Sequence, residues 1–193
     1  MRLLHELLRE YSTDEKQYKE YIQSLKNSVL TAFYTPEAVA SVIQRTLQAS
    51  GVVPGRFLDP SAGTGVFISP LKDVPEITCF EKYKLTGRIL SALYPDSKVI
   101  IDGFQTIQPY YNGYFDVVSS NIPFGDTRVY DRDFDRSGDP VRKGALNAVH
   151  NYFFLKGMDT LREGGIMAFI TTSGVMDSPG NRPIREWLVN HAG

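Results

Sequence analysis

Acidic and amide side chains recur at a nearly constant spacing along this sequence, each directly after a short apolar run. Asp59, Glu81 and Asp102 lie 22 and 21 residues apart, and Asn121 follows after a further 19. If each run is a strand of one parallel sheet, its carboxyl end lies where such sheets bind ligands. Carboxylates there suit a ligand that is positively charged or that donates hydrogen bonds from hydroxyl groups.

The segment 57–65, Phe-Leu-Asp-Pro-Ser-Ala-Gly-Thr-Gly, predicts a strand that ends in a tight turn. Gly63 and Gly65 allow backbone torsions and close approach of a ligand that a Cβ atom would block. The segment is not a dinucleotide pattern, because Ile68 stands where that pattern has glycine, and no phosphate-loop lysine follows. An acid about 20 residues further on, here Glu81, is typical of a ribose contact. The alternative is a turn that uses glycine for geometry alone.

The elements that must position these residues follow from alternating apolar patterns. The predicted strands are Arg56–Leu58, Ile77–Phe80, Val99–Ile101, Phe115–Ser119 and Ile166–Thr171. The predicted helices are Glu37–Ala49 with Pro36 as its first residue, Phe67–Leu71, Lys84–Tyr94, Ala145–Leu161 and Pro183–Asn190. Strands that alternate with helices predict an α/β fold, a doubly wound and mostly parallel sheet with helices on both faces.

Two segments stand apart from this alternation. Residues 1–30 predict a helical extension with Thr13 as a helix cap, and we divide the chain into 1–30 and a main domain at 31–193. The segment Asp126–Lys143 lacks periodicity and predicts a long polar loop. Its basic residues suit either phosphate contacts or a solvated surface, and both interpretations stay open for Arg128, Arg132, Arg136, Arg142 and Lys143.

Composition excludes several classes of protein. The 193 residues carry a net charge of −1, which excludes a strongly basic nucleic-acid binder held by charge alone. Cys79 is the single cysteine, so a disulfide framework and a cysteine zinc cluster are excluded. His5, His150 and His191 match no metal spacing, and we expect no metal. No apolar run is long enough for a membrane span, and we expect a soluble, cytoplasmic protein.

Three motifs resemble those of S-adenosylmethionine-dependent methyltransferases, especially the enzymes that methylate amino groups in DNA. Segment 57–65 resembles their motif I, and Asn121-Ile122-Pro123-Phe124 resembles motif IV, Asn/Asp-Pro-Pro-aromatic. Ala32-Phe33-Tyr34-Thr35-Pro36 resembles motif X, although Thr35 and Pro36 equally suit a capped helix start. Motif IV, with the later His150-Asn151-Tyr152-Phe153-Phe154, is also similar to the methyltransferase domain of large helicase–methyltransferase fusions from phages and conjugative elements. We expect those three aromatic residues to lie in the core.

The resemblance, which covers residues 32 to about 190, implies a Rossmann-like methyltransferase fold and S-adenosylmethionine as cofactor. Asp59 would face the ammonium group and Glu81 the ribose. Asp102 would accept from the adenine amine of the cofactor, with Phe104 beside the ring, although Asp102-Gly103 also suits an ordinary turn. The implied cofactor-binding residues are Tyr34, Thr35, Pro36, Asp59, Pro60, Ser61, Ala62, Gly63, Thr64, Gly65, Glu81, Lys82, Asp102, Gly103, Phe104 and Asn121.

The implied reaction is methyl transfer to the exocyclic amine of a flipped adenine in DNA, in a restriction-modification or antirestriction context. The catalytic residues would be Asn121, Ile122, Pro123 and Phe124. The Asn121 side chain and the Ile122 carbonyl would accept the two amine hydrogens, and Phe124 would stack on the base. Ile122 replaces the proline of the motif, which removes a fixed φ and predicts a less rigid loop.

Alternatives stay open at this point. A protein glutamine or RNA methyltransferase is one alternative, because a side-chain amide and a base amine are both poor nucleophiles that need the same activation. A non-catalytic module, which would bind the cofactor or DNA without methyl transfer, is the other. The family sheet ends in a further hairpin beyond the helix at Pro183–Asn190. We therefore expect a piece of a longer protein that also carries a helicase or target-recognition region, with the last strands of the sheet missing.

Overall fold

The described part of the chain is built on a sheet of five parallel strands. A computed structural model describes residues 2–31, 35–71 and 73–192. The strands are β1 (Arg56–Asp59), β2 (Glu76–Phe80), β3 (Lys98–Ile100), β4 (Phe115–Asn121) and β5 (Leu161–Ile170). They lie in the order β3-β2-β1-β4-β5, and each neighbouring pair is parallel. The predicted doubly wound, parallel architecture is confirmed.

Helices cover both faces of this sheet. They are α1 (Arg2–Glu10), α2 (Glu15–Thr31), α3 (Glu37–Ala49), α4 (Lys84–Leu93), α5 (Arg132–Arg136), α6 (Pro140–Ala145), α7 (Val149–Thr160), α8 (Gly174–Asp177) and α9 (Arg182–His191). Adjacent strand residues point to opposite faces, so Phe57 packs with Leu90 of α4, whereas Leu58 packs in the cluster of Tyr152 of α7 and Trp187 of α9. Within the described ranges, no helix combines the length and apolar character that crossing a membrane requires.

The strand order places a ligand-binding edge beside β1. The chain runs outward through β1, β2 and β3, then returns to the other side of β1 to form β4 and β5. This reversal leaves a crevice at the carboxyl ends of the strands, where doubly wound sheets bind ligands. Asp59 and Asn121 end β1 and β4, and Glu81 and Asp102 follow the ends of β2 and β3. The parallel order of the strands therefore gathers these nearly evenly spaced side chains at one edge.

Two helix predictions along the main domain are wrong. The predicted helix Phe67–Leu71 lies instead in successive turns over residues 63–70. The Gln44 side chain takes the Phe67 carbonyl as its acceptor at 3.3 Å, a carbonyl that a continuing helix would use itself. The predicted helix Ala145–Leu161 is shorter, because a turn at 146–148 separates α6 from α7 and Leu161 already begins β5.

The stretch Asp126–Lys143 is not the predicted loop, since it contains α5 and α6. Each helix begins at an aspartate cap. Asp131 accepts from the backbone N–H of Phe134 at 3.1 Å, and Asp139 accepts from that of Val141 at 2.8 Å. Helices of one or two turns bury too few apolar residues to produce a readable period, which explains why the sequence pattern missed them.

The N-terminal region is helical, as the sequence predicted, and it forms two helices, α1 and α2. The cap of α2 is Asp14, which accepts from the Gln17 N–H at 2.7 Å, and not the predicted Thr13. The α2 helix packs on α4, where the Leu85 N–H donates to the buried Ser24 hydroxyl at 3.3 Å. The division between 1–30 and 31–193 stays a prediction.

The start of α3 differs from the prediction by one residue. Pro36 has ψ of 138°, an extended value, so it precedes the helix that begins at Glu37, and no side chain caps this end. Thr35 is therefore not the cap. It is half-buried and faces the crevice beside the sheet.

Candidate active site

A cleft of about 790 Å³ opens at the carboxyl ends of the strands, a size typical of small-molecule sites. Most of the residues that the sequence singled out line it. These are Thr35, Pro60, Ser61, Ala62, Gly63, Thr64, Glu81, Lys82, Asp102, Gly103, Phe104, Asn121, Ile122, Pro123 and Phe124. The structure thus brings the turns after β1, β2, β3 and β4 together around one space.

The glycine turn after β1 forms one wall of the cleft. Gly63 and Gly65 have φ of +56° and +90°, a left-handed region that residues with a Cβ rarely adopt. A Cβ on Gly63 would project into open space, whereas one on Gly65 would collide with the Tyr94 ring and with the side chain of Leu90 in α4. Gly63 therefore leaves room for a ligand, and Gly65 leaves room for packing against α4.

Asp59 lies beneath this wall rather than on it. The residue is fully buried, and its Oδ1 accepts from the Ser120 hydroxyl at 2.6 Å and from the Ser61 N–H at 3.1 Å. Its other oxygen, Oδ2, has no hydrogen-bond partner among the described residues. Desolvation by burial raises the pKa of this carboxyl to about 7. The group is thus poised to ionise near neutral pH.

Glu81 presents a carboxylate at the wall itself. Its Oε2 accepts from the Gly63 N–H at 2.9 Å and its Oε1 accepts from the Tyr83 N–H at 2.8 Å. Burial raises the pKa of this carboxyl, against the two backbone hydrogen bonds that favour its ionised form. Each oxygen keeps a second acceptor position, so the carboxylate can receive further hydrogen bonds from a ligand.

The turn after β3 combines a polar and an apolar group. Asp102 is exposed, and its Oδ1 accepts from the Gly103 N–H at 2.7 Å. Phe104 is buried and packs edge-on against Phe80 with ring centroids 5.6 Å apart. The segment Phe104–Thr106 forms a short 3-10 helix, so the turn that the sequence suggested is present and still lines the cleft.

The loop after β4 is held to β5 by a backbone hydrogen bond. The Ile122 N–H donates to the Ile170 carbonyl at 3.1 Å, and Ile122 is buried. A proline at this position has no N–H and could not form the bond. The replacement of proline by isoleucine therefore loses a fixed φ and gains a hydrogen bond to β5. This bond acts against the predicted loss of rigidity in the loop.

His150 holds the far end of the same loop. The Gly125 N–H donates to its Nδ1 at 3.3 Å, and the Val149 N–H donates back to the Gly125 carbonyl at 3.3 Å. Burial lowers the pKa of His150, an effect that the charge of Asp126 partly opposes. The neutral imidazole that this favours is the form that can accept the hydrogen bond. Pro123 and Phe124 thus lie between two fixed points, Ile122 and Gly125.

Comparison with known proteins identifies the family. The family model of the Eco57I restriction-modification methylase matches residues 80–192, more than half of the chain. The chain belongs to this family.

Individual relatives agree with that assignment. The chain is 29% identical over 160 residues to Defense against restriction protein B of Escherichia phage P1, across 81% of this chain and 7% of that protein. It is 24% identical over 184 residues to Modification methylase CviBIII of Paramecium bursaria Chlorella virus NC1A, across 93% of this chain and 48% of that protein. The chain therefore spans less than half the length of either relative.

A solved structure shows the same fold. A Listeria monocytogenes protein assigned to the class I S-adenosylmethionine-dependent methyltransferases has a TM-score of 0.67 at 17% identity, over 95% of this chain and 61% of that one. The match confirms the predicted Rossmann-like methyltransferase fold. This fold and membership of the Eco57I methylase family together imply S-adenosylmethionine as the cofactor.

Four residues that the sequence placed in the cofactor site are not among the described residues that line the cleft. Tyr34 lies outside the described residues. Pro36 is exposed at the start of α3, Asp59 lies beneath the wall, and Gly65 packs against α4. The buried side chains of Tyr152 and Phe153 confirm the core assignment on α7, although Phe153 also reaches the cleft.

The sequence motifs missed other lining residues. These are Glu37, Val66, Phe67, Tyr83, Thr86, Gln105, Thr127, Arg128, Val129, Tyr130, Val149 and Phe153. Several of these residues directly follow a motif in the sequence, as Val66 and Phe67 follow the glycine turn. Their position could have been predicted, because the residues just after a strand-end turn lie at the same edge of the sheet. In the stretch 127–130, the sequence offered Arg128 as a residue for either a phosphate contact or a solvated surface, and it gave no signal for the other three residues. In the described part of the chain, no cluster of three or more histidine, cysteine or acidic residues could hold a metal ion.

Proposed function

We propose that this protein transfers the methyl group of S-adenosylmethionine to the exocyclic amine of adenine in DNA. One observation carries this: Asn121 and the loop that follows it open into the same cleft as the carboxylates of Glu81 and Asp102. A cofactor held by the carboxylates would have its reactive end within the reach of an amine held by Asn121. Such positioning can supply a large part of the rate of a group transfer.

The residues of the cleft fit this cofactor. Glu81 would accept from the ribose hydroxyls, Asp102 from the adenine amine, and Phe104 would pack beside the adenine ring. The open space at Gly63 leaves room for the ligand, and the unpartnered Oδ2 of Asp59 supplies negative potential beneath the wall as the carboxyl ionises. When bound, S-adenosylmethionine supplies an electrophilic methyl group on a sulfonium: the nitrogen–methyl bond would form as the sulfur–methyl bond breaks, the sulfur would leave as a neutral thioether, and the nitrogen would release one proton to water.

The target amine needs help because its lone pair is delocalised into the adenine ring. The side-chain oxygen of Asn121 and the carbonyl of Ile122 would accept its two hydrogens and favour a tetrahedral, more nucleophilic nitrogen. Both are weak bases, so they act by orientation and electrostatics. The sheet bond from the Ile122 N–H to Ile170 and the bond from Gly125 to His150 keep these acceptors in place.

DNA is the substrate that the relatives support. The family consists of restriction-modification methylases, and one relative is a modification methylase. The adenine must leave the duplex to reach this cleft, at a cost of roughly a few kcal/mol, and Phe124 would stack on it. We place recognition of the base sequence in another region of a longer protein, because the phage relative is matched over 7% of its length.

The test is methyl incorporation from labelled S-adenosylmethionine into DNA, RNA and protein substrates. We expect N6-methyladenine in DNA, and we expect Asn121→Ala to lower the rate about 100-fold, by analogy with the removal of one transition-state hydrogen bond. Asn190→Ala, on the exposed face of α9, is the matched control. Methylation of RNA or protein instead of DNA would identify a different acceptor. Binding of the cofactor without transfer to any substrate would identify a non-catalytic module.

A further inference from the structure

A segment without regular secondary structure at the rim of the cleft carries two exposed side chains that the methylation chemistry does not use. Thr127, Arg128, Val129 and Tyr130 all line the cleft. Arg128 is exposed, and the Tyr130 ring is 78% exposed, compared with 39% for Phe124. Tyr130 therefore lies further out than the aromatic ring assigned to the target base.

The backbone under these side chains is anchored. The Val129 N–H donates to the Leu146 carbonyl at 2.8 Å, and the Val129 side chain packs on the core. Asp131 is buried, accepts from the Tyr152 hydroxyl at 2.7 Å, and lies 3.3 Å from the Lys156 ammonium. Residues 129 and 131 are thus held against the protein, whereas Arg128 and Tyr130 are exposed and line the cleft.

Folding does not account for the two exposed residues. Across the described ranges, neither Arg128 nor Tyr130 makes a hydrogen bond or ion pair with another side chain, and Tyr130 contributes little buried surface. An exposed arginine and an exposed aromatic ring, two residues apart on an anchored backbone at one cleft, are suited to single-stranded nucleic acid. The ring stacks on a base, and the guanidinium contacts a phosphate.

We propose that Tyr130 stacks on the base next to the target adenine and that Arg128 contacts a phosphate of the same strand. This assignment rests on the proposed function, because it requires a DNA strand at the cleft. The deeper Phe124 would hold the flipped adenine, and the outer Tyr130 would hold the neighbour that stays at the rim. The net charge of −1 makes such local contacts necessary, because the chain as a whole does not attract DNA.

The experiment uses a fluorescent single strand of about 15 nucleotides, a length within reach of one such groove, that contains one adenine. Two matched strands carry an abasic site on the 5′ or the 3′ side of that adenine. Fluorescence anisotropy gives the Kd of each strand, and calorimetry gives the Kd of S-adenosylmethionine. Tyr11→Ala is a matched control, since Tyr11 is also 78% exposed and lies outside the cleft. The variants are Tyr130→Ala, Tyr130→Phe, Arg128→Ala, Arg128→Lys, Phe124→Ala, Tyr11→Ala and Arg136→Ala.

We expect Tyr130→Ala to weaken binding of the intact strand about tenfold, and Tyr130→Phe to leave it within about twofold. One of the two abasic strands should bind the unaltered protein as weakly as the intact strand binds Tyr130→Ala. Tyr130→Ala should bind that abasic strand and the intact strand with the same Kd. Arg128→Ala should reduce the slope of log Kd against log salt by about 0.7, whereas Arg128→Lys and Arg136→Ala should not. Binding of S-adenosylmethionine should stay unchanged throughout.

The outcomes separate this assignment from the proposed function. If Tyr130→Ala behaves like Tyr11→Ala while Phe124→Ala weakens binding of the strand, the roles of the rim residues are wrong and DNA remains the substrate. If the abasic strands bind the unaltered protein as tightly as the intact strand does, Tyr130 does not stack on a neighbouring base. If the unaltered protein binds the cofactor but none of the strands, the proposed DNA substrate and the rim contacts both fail.

Discussion

The two halves of the cleft hold their functional groups in different ways. In the half built on β1, β2 and β3, the Glu81 carboxylate accepts backbone N–H groups from Gly63 and Tyr83, residues at its own edge of the sheet. In the half that follows β4, Ile122 and Gly125 are held by β5 and by His150 of α7. The first half is a set of fixed charges, whereas the second is a loop held at two points.

This difference matches two kinds of ligand. A small cofactor that is the same molecule in every turnover is bound well by preorganised acceptors that need not move. A base that enters from a nucleic acid requires an open side, and Phe124 and Tyr130 are accordingly the exposed aromatic rings of the cleft. Loss of an acidic side chain in the first half should therefore weaken cofactor binding. Loss of a hydrogen bond that holds the loop in the second half should slow turnover.

The largest expected effect is loss of the Glu81 carboxylate. Glu81→Gln removes the charge and leaves one of the two backbone N–H groups without an acceptor, so we expect the affinity for S-adenosylmethionine to fall between about tenfold and a hundredfold. Calorimetric titration measures it. Glu163→Gln, on the exposed part of β5, should bind the cofactor as the unaltered protein does. Equal affinities of the two folded variants would show that the cofactor is bound without Glu81.

The second effect tests the tie between the loop and α7. His150→Ala removes the acceptor of the Gly125 N–H, so we expect kcat for methyl transfer to fall about tenfold while the cofactor Kd stays unchanged, because a small misplacement of the acceptors slows transfer more than it weakens binding. Steady-state kinetics measure both constants. His191→Ala, on α9 and away from the cleft, is the control.

The pH dependence of kcat sharpens the same test. Burial lowers the pKa of His150 below its ordinary value of 6.5, with Asp126 acting in the opposite direction. The imidazolium cannot accept from Gly125, so kcat should fall as the pH drops below 6.5 through that lowered pKa. His150→Ala should lose this acid limb. An unchanged acid limb in the variant would assign it to another group.

The comparison also shows what the sequence could predict. The acids and Asn121 were predicted because each ends an apolar run, and the parallel order of the sheet then places them at one edge. The ties of the second half were not predicted, because Ile122 and Ile170 or Gly125 and His150 lie far apart in sequence and no local pattern records their contact. The positions of Asp59, beneath the cleft wall, and of Gly65, against α4, were not predicted for a related reason. Whether a strand-end acid or a glycine faces a ligand depends on packing that only the fold defines.

The third effect concerns stability. The buried Asp59, in the half of the cleft built on β1, β2 and β3, should make the free energy of unfolding depend on pH. Its pKa is raised from 3.8 to about 7, so the folded state binds this proton more tightly than the unfolded state. The resulting stability is full below about pH 4 and is lost as the pH rises through 7. We expect the free energy of unfolding to fall by up to about 1.4 kcal/mol per pH unit in this window.

Asp59→Asn is the matched variant, because it keeps an oxygen acceptor for Ser120 and Ser61 and cannot ionise. Urea unfolding at several pH values should show a flatter dependence in this variant, and Asp73→Asn, an exposed aspartate, should leave the slope unchanged. A slope that survives in Asp59→Asn would mean that another buried group titrates in this range.

The smallest expected effect asks whether the sheet bond replaces the proline of motif IV. Ile122→Pro fixes φ but removes the N–H that donates to the Ile170 carbonyl, so the carbonyl of this half-buried residue loses its partner. Proline recovers up to about 1 kcal/mol through the unfolded chain, whereas an unsatisfied buried carbonyl costs about 1–3 kcal/mol. We therefore expect the free energy of unfolding in urea to fall by about 1 kcal/mol.

The Ile122 carbonyl is retained in this variant, so methyl transfer should stay within about threefold of the unaltered protein. Ile122→Val, which keeps the N–H and removes one methylene, separates the loss of the bond from the loss of packing in the core around Ile122. A stability of Ile122→Pro equal to or above that of Ile122→Val would show that the fixed φ of proline constrains this loop as well as the bond to β5 does. In that case the hydrogen bond to β5 would not be what distinguishes the loop after β4 from the half of the cleft built on β1, β2 and β3.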